Sequence, residues 1–139
     1  MPYVFDSSFV GAIIIPDEKN LNIDKTYASI GEDELIYVPQ LFWYEISNIF
    51  KNLLRRKKYS IDDIMEFFPS LTAIRLISSN ESGAEYSQKL LQLCNEYALS
   101  SYDAAYLELA KRKNAALCSL DGKLLAAAKK HGVIVKHLI

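Results

Sequence analysis

Short β-rich runs alternate with stretches of helical period along this chain, and that alternation limits the possible folds more than any single motif does. Tyr3-Val4-Phe5 reads as a buried strand. Asp6-Ser7-Ser8 supplies helix-start residues for a helix over 9–15, which Pro16 ends. A second strand over 35–38 closes at Pro39. Phe42, Ile46, Ile49, Phe50 and Leu53 recur at helical spacing, so residues from about 40 to 57 form an amphipathic helix. Its tail, Arg55-Arg56-Lys57-Lys58, suits a helix C-terminus. Ser60, with Asp63 three residues on, opens the next helix as in a capping box, and Pro69 follows that helix. Residues 73–77 read as a strand and 85–97 as a helix, and Ser100 or Ser101 caps another helix to about 113. Residues 116–120 read as a strand, 122–131 as an alanine-rich helix stopped by Gly132, and 133–135 as a last strand. The segment 17–34 is mixed and polar, a loop plus a short helix. The clearest alternation lies at the two ends of the chain. Strands alternating with helices imply right-handed crossovers and a mostly parallel sheet covered on both faces, an α/β class.

Composition narrows the rest. At 139 residues, 50% of them hydrophobic, the chain suits a single domain over residues 1–139 with one well-buried core. Sixteen basic residues against 17 acidic leave a net charge of −1, unlike a passive nucleic-acid coat. The balance still suits an enzyme that gathers acids in one pocket. Cys94 and Cys118 are too few for a disulfide scaffold and lie in apolar stretches, so they read as buried reduced thiols. No stretch approaches the roughly 18 apolar residues of a membrane span. The N-terminus lacks a basic n-region, so the expected location is the cytoplasm, with no membrane partner.

Four acids are placed where a site could form. Asp6 directly follows the first strand and Asp121 the strand over 116–120, and ligand sites of open parallel sheets lie outside the carboxyl ends of strands. Glu45 shares a helical stripe with Phe42 and Ile49; Asp103 shares one with Leu107 and Ala110. A carboxylate on a core-facing stripe is costly unless something neutralises it. Oxygen-only ligands suit Mg²⁺ or Mn²⁺. Each acid also has a plainer reading. Asp6 and Asp121 could be N-caps, each worth about 1 kcal/mol. Asp103 could favour the positive end of its helix, and Glu45 could pair with a Lys or Arg. Spacing alone leaves both readings open.

The same residues carry a family pattern. Val4-Phe5-Asp6-Ser7-Ser8 resembles the opening of a PIN-domain protein. Val38-Pro39 followed by Leu41-Phe42-Trp43-Tyr44-Glu45-Ile46-Ser47-Asn48 resembles that family's second acidic motif, and Ser100-Ser101-Tyr102-Asp103-Ala104-Ala105-Tyr106-Leu107 its third. Cys118-Ser119-Leu120-Asp121, then Lys123-Leu124 and Gly132-Val133, resembles its C-terminal block. The likeness runs from about residue 3 to 135 and is nearest to the VapC type, the toxin half of VapBC toxin–antitoxin pairs. It implies a five-stranded parallel sheet with the first strand beside the fourth, and helices on both faces. It implies Mg²⁺- or Mn²⁺-dependent endoribonuclease activity, with Asp6, Glu45, Asp103 and Asp121 catalytic and metal-holding. It also implies an RNA substrate, a homodimer, and an antitoxin that blocks the site. Many members carry a further acid just after the fourth; here Gly122, Lys123 and Leu124 stand there, so one or two ions remain open. Ser119 stands where threonine is common.

Around the acids, Ser8 and Ser119 are candidates to hydrogen-bond a carboxylate or a metal-bound water, with plain capping or strand hydroxyls as the alternative. Asn48, one turn from Glu45, could orient a ligand. Arg55, Arg56, Lys57 and Lys58, and the second run Lys111, Arg112 and Lys113, could grip a phosphate backbone or simply be solvated helix ends. Trp43, Tyr44 and Tyr102 could stack on bases or fill a partner groove. A receiver-type switch needs an acidic pair after the first strand, and Ser7-Ser8 stands there. An Asp-x-Asp phosphatase is excluded by Ser8. Ser/His/Asp chemistry fits poorly, because His131 and His137 both lie near the C-terminus. Zinc-ligand spacing and a Gly-rich phosphate loop are missing. A housekeeping RNA-processing nuclease and a catalytically silent PIN-fold binding module remain as alternatives.

Overall fold

The computed structural model describes residues 1–18 and 20–138; Lys19, inside the mixed segment, and Ile139 lie outside it. Four short parallel strands, β1 (Tyr3–Phe5), β2 (Ile36–Pro39), β3 (Ile77–Ser79) and β4 (Ala116–Cys118), form one sheet in the order β3-β2-β1-β4. Tyr3 pairs with Ile36 on one side and with Ala116 on the other, so β1 is central. Val4 and Phe5 point to opposite faces of the sheet, and both are 0% exposed, so both faces are covered.

The helices that cover it follow local rules. Asp6 caps α1 (Ser7–Ile14), and Asn20 caps α2 (Leu21–Ala28), the short helix expected somewhere in the mixed segment. A single 3₁₀ turn, Pro16–Glu18, follows α1. The amphipathic α3 (Leu41–Arg55) buries Phe42, Ile46, Phe50 and Leu53, each contributing about 1.5–3 kcal/mol of apolar burial. Ser60 and Asp63 close the expected capping box on α4 (Ile61–Met65). After α5 (Phe68–Ala73) and β3 come α6 (Ala84–Tyr97) and α7 (Ser101–Arg112). Residues 104–110 of α7 are all buried, because α7 packs on β1, β2 and β4 as well as on α6 and α8 (Gly122–Lys130).

Two expectations need correcting. Among the described residues the sheet has four strands rather than five. The run 133–135 makes one parallel bridge, Leu117 to Val135, with Leu117 N donating to Ile134 O at 2.8 Å and Lys136 N to Leu117 O at 3.0 Å. One bridged residue is not a ladder. Residues 73–77 are not a strand either: α5 runs to Ala73 and β3 begins at Ile77. Pro69 misleads here. It occupies the first turn of α5, where a missing N–H costs nothing, so it starts a helix rather than stopping one.

Candidate active site

The sheet order creates a switch point. The chain leaves β1 toward β2 and β3 on one side, then returns to place β4 on the other, and the crevice outside such a point is where open α/β sheets bind ligands. Asp6 and Asp121 follow the two strands that flank it. Asp6 Oδ1 accepts from Phe9 N at 2.9 Å and from Ser8 Oγ at 2.7 Å, and its Oδ2 accepts from Ser119 Oγ. Ser8 also reaches across the crevice, its Oγ accepting from Leu120 N at 3.1 Å, while Ser119 Oγ accepts locally from Asp121 N at 2.9 Å. Asp121 caps α8 through Oδ1, which accepts from Lys123 N at 2.9 Å and Leu124 N at 3.4 Å. Capping is therefore real for both aspartates, and it holds them at the sheet edge.

Helices bring in the other two acids. Glu45, half-buried in α3, has Oε1 held by Tyr106 Oη at 2.5 Å and more loosely by Ser7 Oγ at 3.4 Å. Asp103 lies in the first turn of α7, where Ser100 is the N-cap and its Oγ accepts from Asp103 N at 3.2 Å.

Burial pushes the carboxyls of Asp6, Glu45 and Asp103 above their ordinary range, and mutual repulsion adds to it. Asp121 repels both Asp6 and Asp103, while Glu45 feels both Asp6 and Asp103, so the four form a closed circuit of like charge. Among the described residues no Lys or Arg makes an ion pair with any of them; Lys123 only eases Asp103 from a distance. Nor do any three acid, His or Cys side chains there meet as a ready-made metal cage. Four hard oxygen donors that repel one another and lack a cation fit Mg²⁺ or Mn²⁺, which bind through a few carboxylates and keep several waters.

The remaining candidates scatter. Asn48 is exposed, and its side chain makes no hydrogen bond among the described residues. Arg55, Arg56, Lys57 and Lys58 lie ten or more residues beyond Glu45, about 15 Å along the helix direction, and Lys58 pairs with Asp17 at 2.7 Å. Lys111 donates to His131 O at 3.1 Å, Arg112 grips the nearly buried Glu108, and Lys113 lies 4.8 Å from the centre of the Tyr37 ring. Trp43 donates to Ser78 Oγ at 2.6 Å, whereas Tyr44 and Tyr102 leave their rings largely in solvent. Sequence reasoning missed Ser7 and Tyr106. The available signal was Tyr106 standing three residues after Asp103, on the same face of α7. Burial, with Glu45 beside it, raises the Tyr106 phenol so that it stays a donor. Burial also pushes the Cys118 thiol up to about 12, in keeping with an inert core cysteine; Cys94 is free and half-buried.

Comparison with known proteins gives a consistent likeness. The profile of the PIN domain family matches residues 3–133. Ribonuclease VapC3 of Pyrobaculum aerophilum is 26% identical over 131 residues, spanning 89% of this chain and 92% of that protein. A crystal structure of a Pyrobaculum aerophilum protein superposes with a TM-score of 0.71 at 20% identity, covering 97% of this chain and 83% of the other. A toxin–antitoxin complex from Klebsiella pneumoniae contains a chain with a TM-score of 0.66 at 15% identity, 99% of each chain being covered. At those identities the two structures speak to the fold.

Proposed function

The chain belongs to the PIN domain family, and from that premise we propose that it is a Mg²⁺- or Mn²⁺-dependent endoribonuclease, the toxin half of a type II toxin–antitoxin pair. One observation carries the reading: Asp6, Glu45, Asp103 and Asp121, drawn from four separate segments, repel one another at the sheet's switch point with no cationic side chain among the described residues paired to them. A structural role alone would not leave one buried and three partly buried acids in that state.

A divalent cation held by these carboxylates would supply Lewis-acid charge for the phosphodiester and make a coordinated water easier to deprotonate. The chain's own residues do the positioning. Phe9 N, Ser8 and Ser119 hold Asp6, while Ser119 also sets Asp121 through its backbone N–H. Tyr106 and Ser7 hold Glu45, and the Ser100 cap places Asp103. Lys123, exposed and two residues after Asp121, is close enough to ease the charge on Asp103 and would offer a cation to the RNA backbone. The named relative, a ribonuclease, supports RNA as substrate, and the toxin–antitoxin neighbour supports an antitoxin partner. A homodimer acting in the cytoplasm completes the proposal; among the described residues no helix is long and apolar enough to cross a membrane.

The test is cleavage of total RNA with Mg²⁺, with Mn²⁺ and with EDTA. The wild type should cut with either ion and stop in EDTA. Asp6→Asn should lose at least about 100-fold in rate, since it removes a ligand and a charge together. An Asp6→Asn protein that cuts at the wild-type rate would overturn the assignment.

A further inference from the structure

We propose that Tyr106 is a positioning residue for the metal site: it ties Oε1 of Glu45 so that Oε2 of Glu45 is presented to the cation. The proposal rests on the nuclease reading above and goes beyond it, to a residue outside the four acids.

Unaided, Glu45 has little reason to stay at the site. Its side chain is long, half-buried and repelled by both Asp6 and Asp103. Fixing a free Glu side chain costs rotamer entropy, and here repulsion favours the rotamers that lead out to solvent. Something must hold it in. Among the described residues two side chains donate to it, both to Oε1: Tyr106 Oη at 2.5 Å and Ser7 Oγ at 3.4 Å. The first lies in the range of a charge-assisted O–H···O⁻ bond, the second beyond the range of a good one. Oε2 accepts from neither.

The chemistry of the holder matters as much as its distance. A lysine or arginine would also fix Glu45, but it would cancel the charge that attracts a divalent ion. A phenol fixes the carboxylate and leaves its charge in place. Tyr106 is also rigid. It is 2% exposed, inside the helix that packs on β1, β2 and β4. Asp103 stands one turn before it, so α7 presents one acid directly and steadies another that arrives on α3, 61 residues away. The pairing links the two helices that carry acids, neither of which follows a strand of the switch point.

The experiment measures Mn²⁺ binding to the whole protein by calorimetry or by the free-ion paramagnetic resonance signal, without RNA. Tyr106→Phe keeps the ring and removes the hydroxyl, and it should weaken binding by about 10-fold or more, within the 10–100-fold loss expected when an outer-sphere partner of a ligand is removed. In a Glu45→Gln background the same change should have almost no further effect, because the two act through one bond. Tyr97→Phe, which removes a phenol bonded to His131, should leave the affinity alone. Wild-type affinity in Tyr106→Phe, or an equal loss with and without Glu45, overturns the proposal and leaves the nuclease reading standing. A wild type that binds no Mn²⁺, or a Glu45→Gln protein that binds it normally, overturns both. If Tyr106→Phe does not fold, a Mn²⁺-bound structure of the wild type decides. Tyr106 still bonded to Oε1 with the ion at Oε2 supports the proposal, and a Tyr106 released from Glu45 refutes it.

Discussion

Asp6 carries two duties with two oxygens. Oδ1 caps the start of α1 and Oδ2 reaches a serine 113 residues away, so capping and the proposed site role are compatible rather than rival explanations. Its burial is nearly complete, and its carboxyl, like those of Glu45 and Asp103, is raised by that burial. The consequence for stability has a definite sign. Between the ordinary and the raised values the folded chain holds more protons than the unfolded one, so stability falls as pH rises through that window. In EDTA, therefore, urea midpoints should increase as pH is lowered from neutral toward the upper carboxylate range, and Glu45→Gln should show a shallower slope. Asp17, held low by the hydrogen bond from Lys58, acts in the opposite sense, but only at more acid pH. A midpoint that climbs steadily with pH would contradict this account. The four acids were legible at this scale because each sits beside a strand end or on a helical stripe. Tyr106 was not, because a buried tyrosine on an apolar helix face reads as core until its partner is known.

Helix ends explain where element boundaries were legible and where they blurred. Lys57, Arg75, Ala98 and Asn114 all take positive φ, near +50° to +57°, at or just past the ends of α3, α5, α6 and α7. Only α8 ends on a glycine in that conformation, Gly132 at φ 79°. Glycine is the familiar stop signal, and the stop at Gly132 was read correctly, whereas a lysine or an alanine in the same conformation sends none. The left-handed region costs a residue with a Cβ about 1–2 kcal/mol. Ala98 holds φ 55° and ψ 44° as the cap of α6 and is exposed. Ala98→Gly should thus stabilise the protein by about 1 kcal/mol in denaturant melts, with RNA cleavage unchanged; a loss of stability would show that the Ala98 side chain packs usefully. The same logic accounts for Pro69, whose meaning depends on whether a helix lies before it or after it.

At the scale of the whole molecule, the fold keeps four carboxylates close at the expense of its own stability, and bound cations should relieve the repulsion. Saturating Mn²⁺ at about 100 times its Kd should add about 2.7 kcal/mol, a rise in Tm of several degrees for a domain of this size. EDTA should reverse that rise and Asp6→Asn should abolish most of it. A Tm indifferent to Mn²⁺ would argue that the acids are not a metal site. The amino-acid sequence alone determined the α/β alternation, the capping box at Ser60, the amphipathic stripe of α3 and the identity of the acids at strand ends. All of these follow from forces acting within a turn or two of the chain. The family pattern already implied the first strand beside the fourth, as the sheet order has it, but only the tertiary structure decided that, among the described residues, no fifth ladder lies outside β4. It alone decided that Ser119 reaches Asp6, that Tyr106 reaches Glu45, and that Lys58, in the basic run at the end of α3, pairs with Asp17 rather than with any of the four acids. Those outcomes depend on contacts between segments dozens of residues apart, and the geometry of such contacts is set by how whole elements pack, which no local pattern encodes.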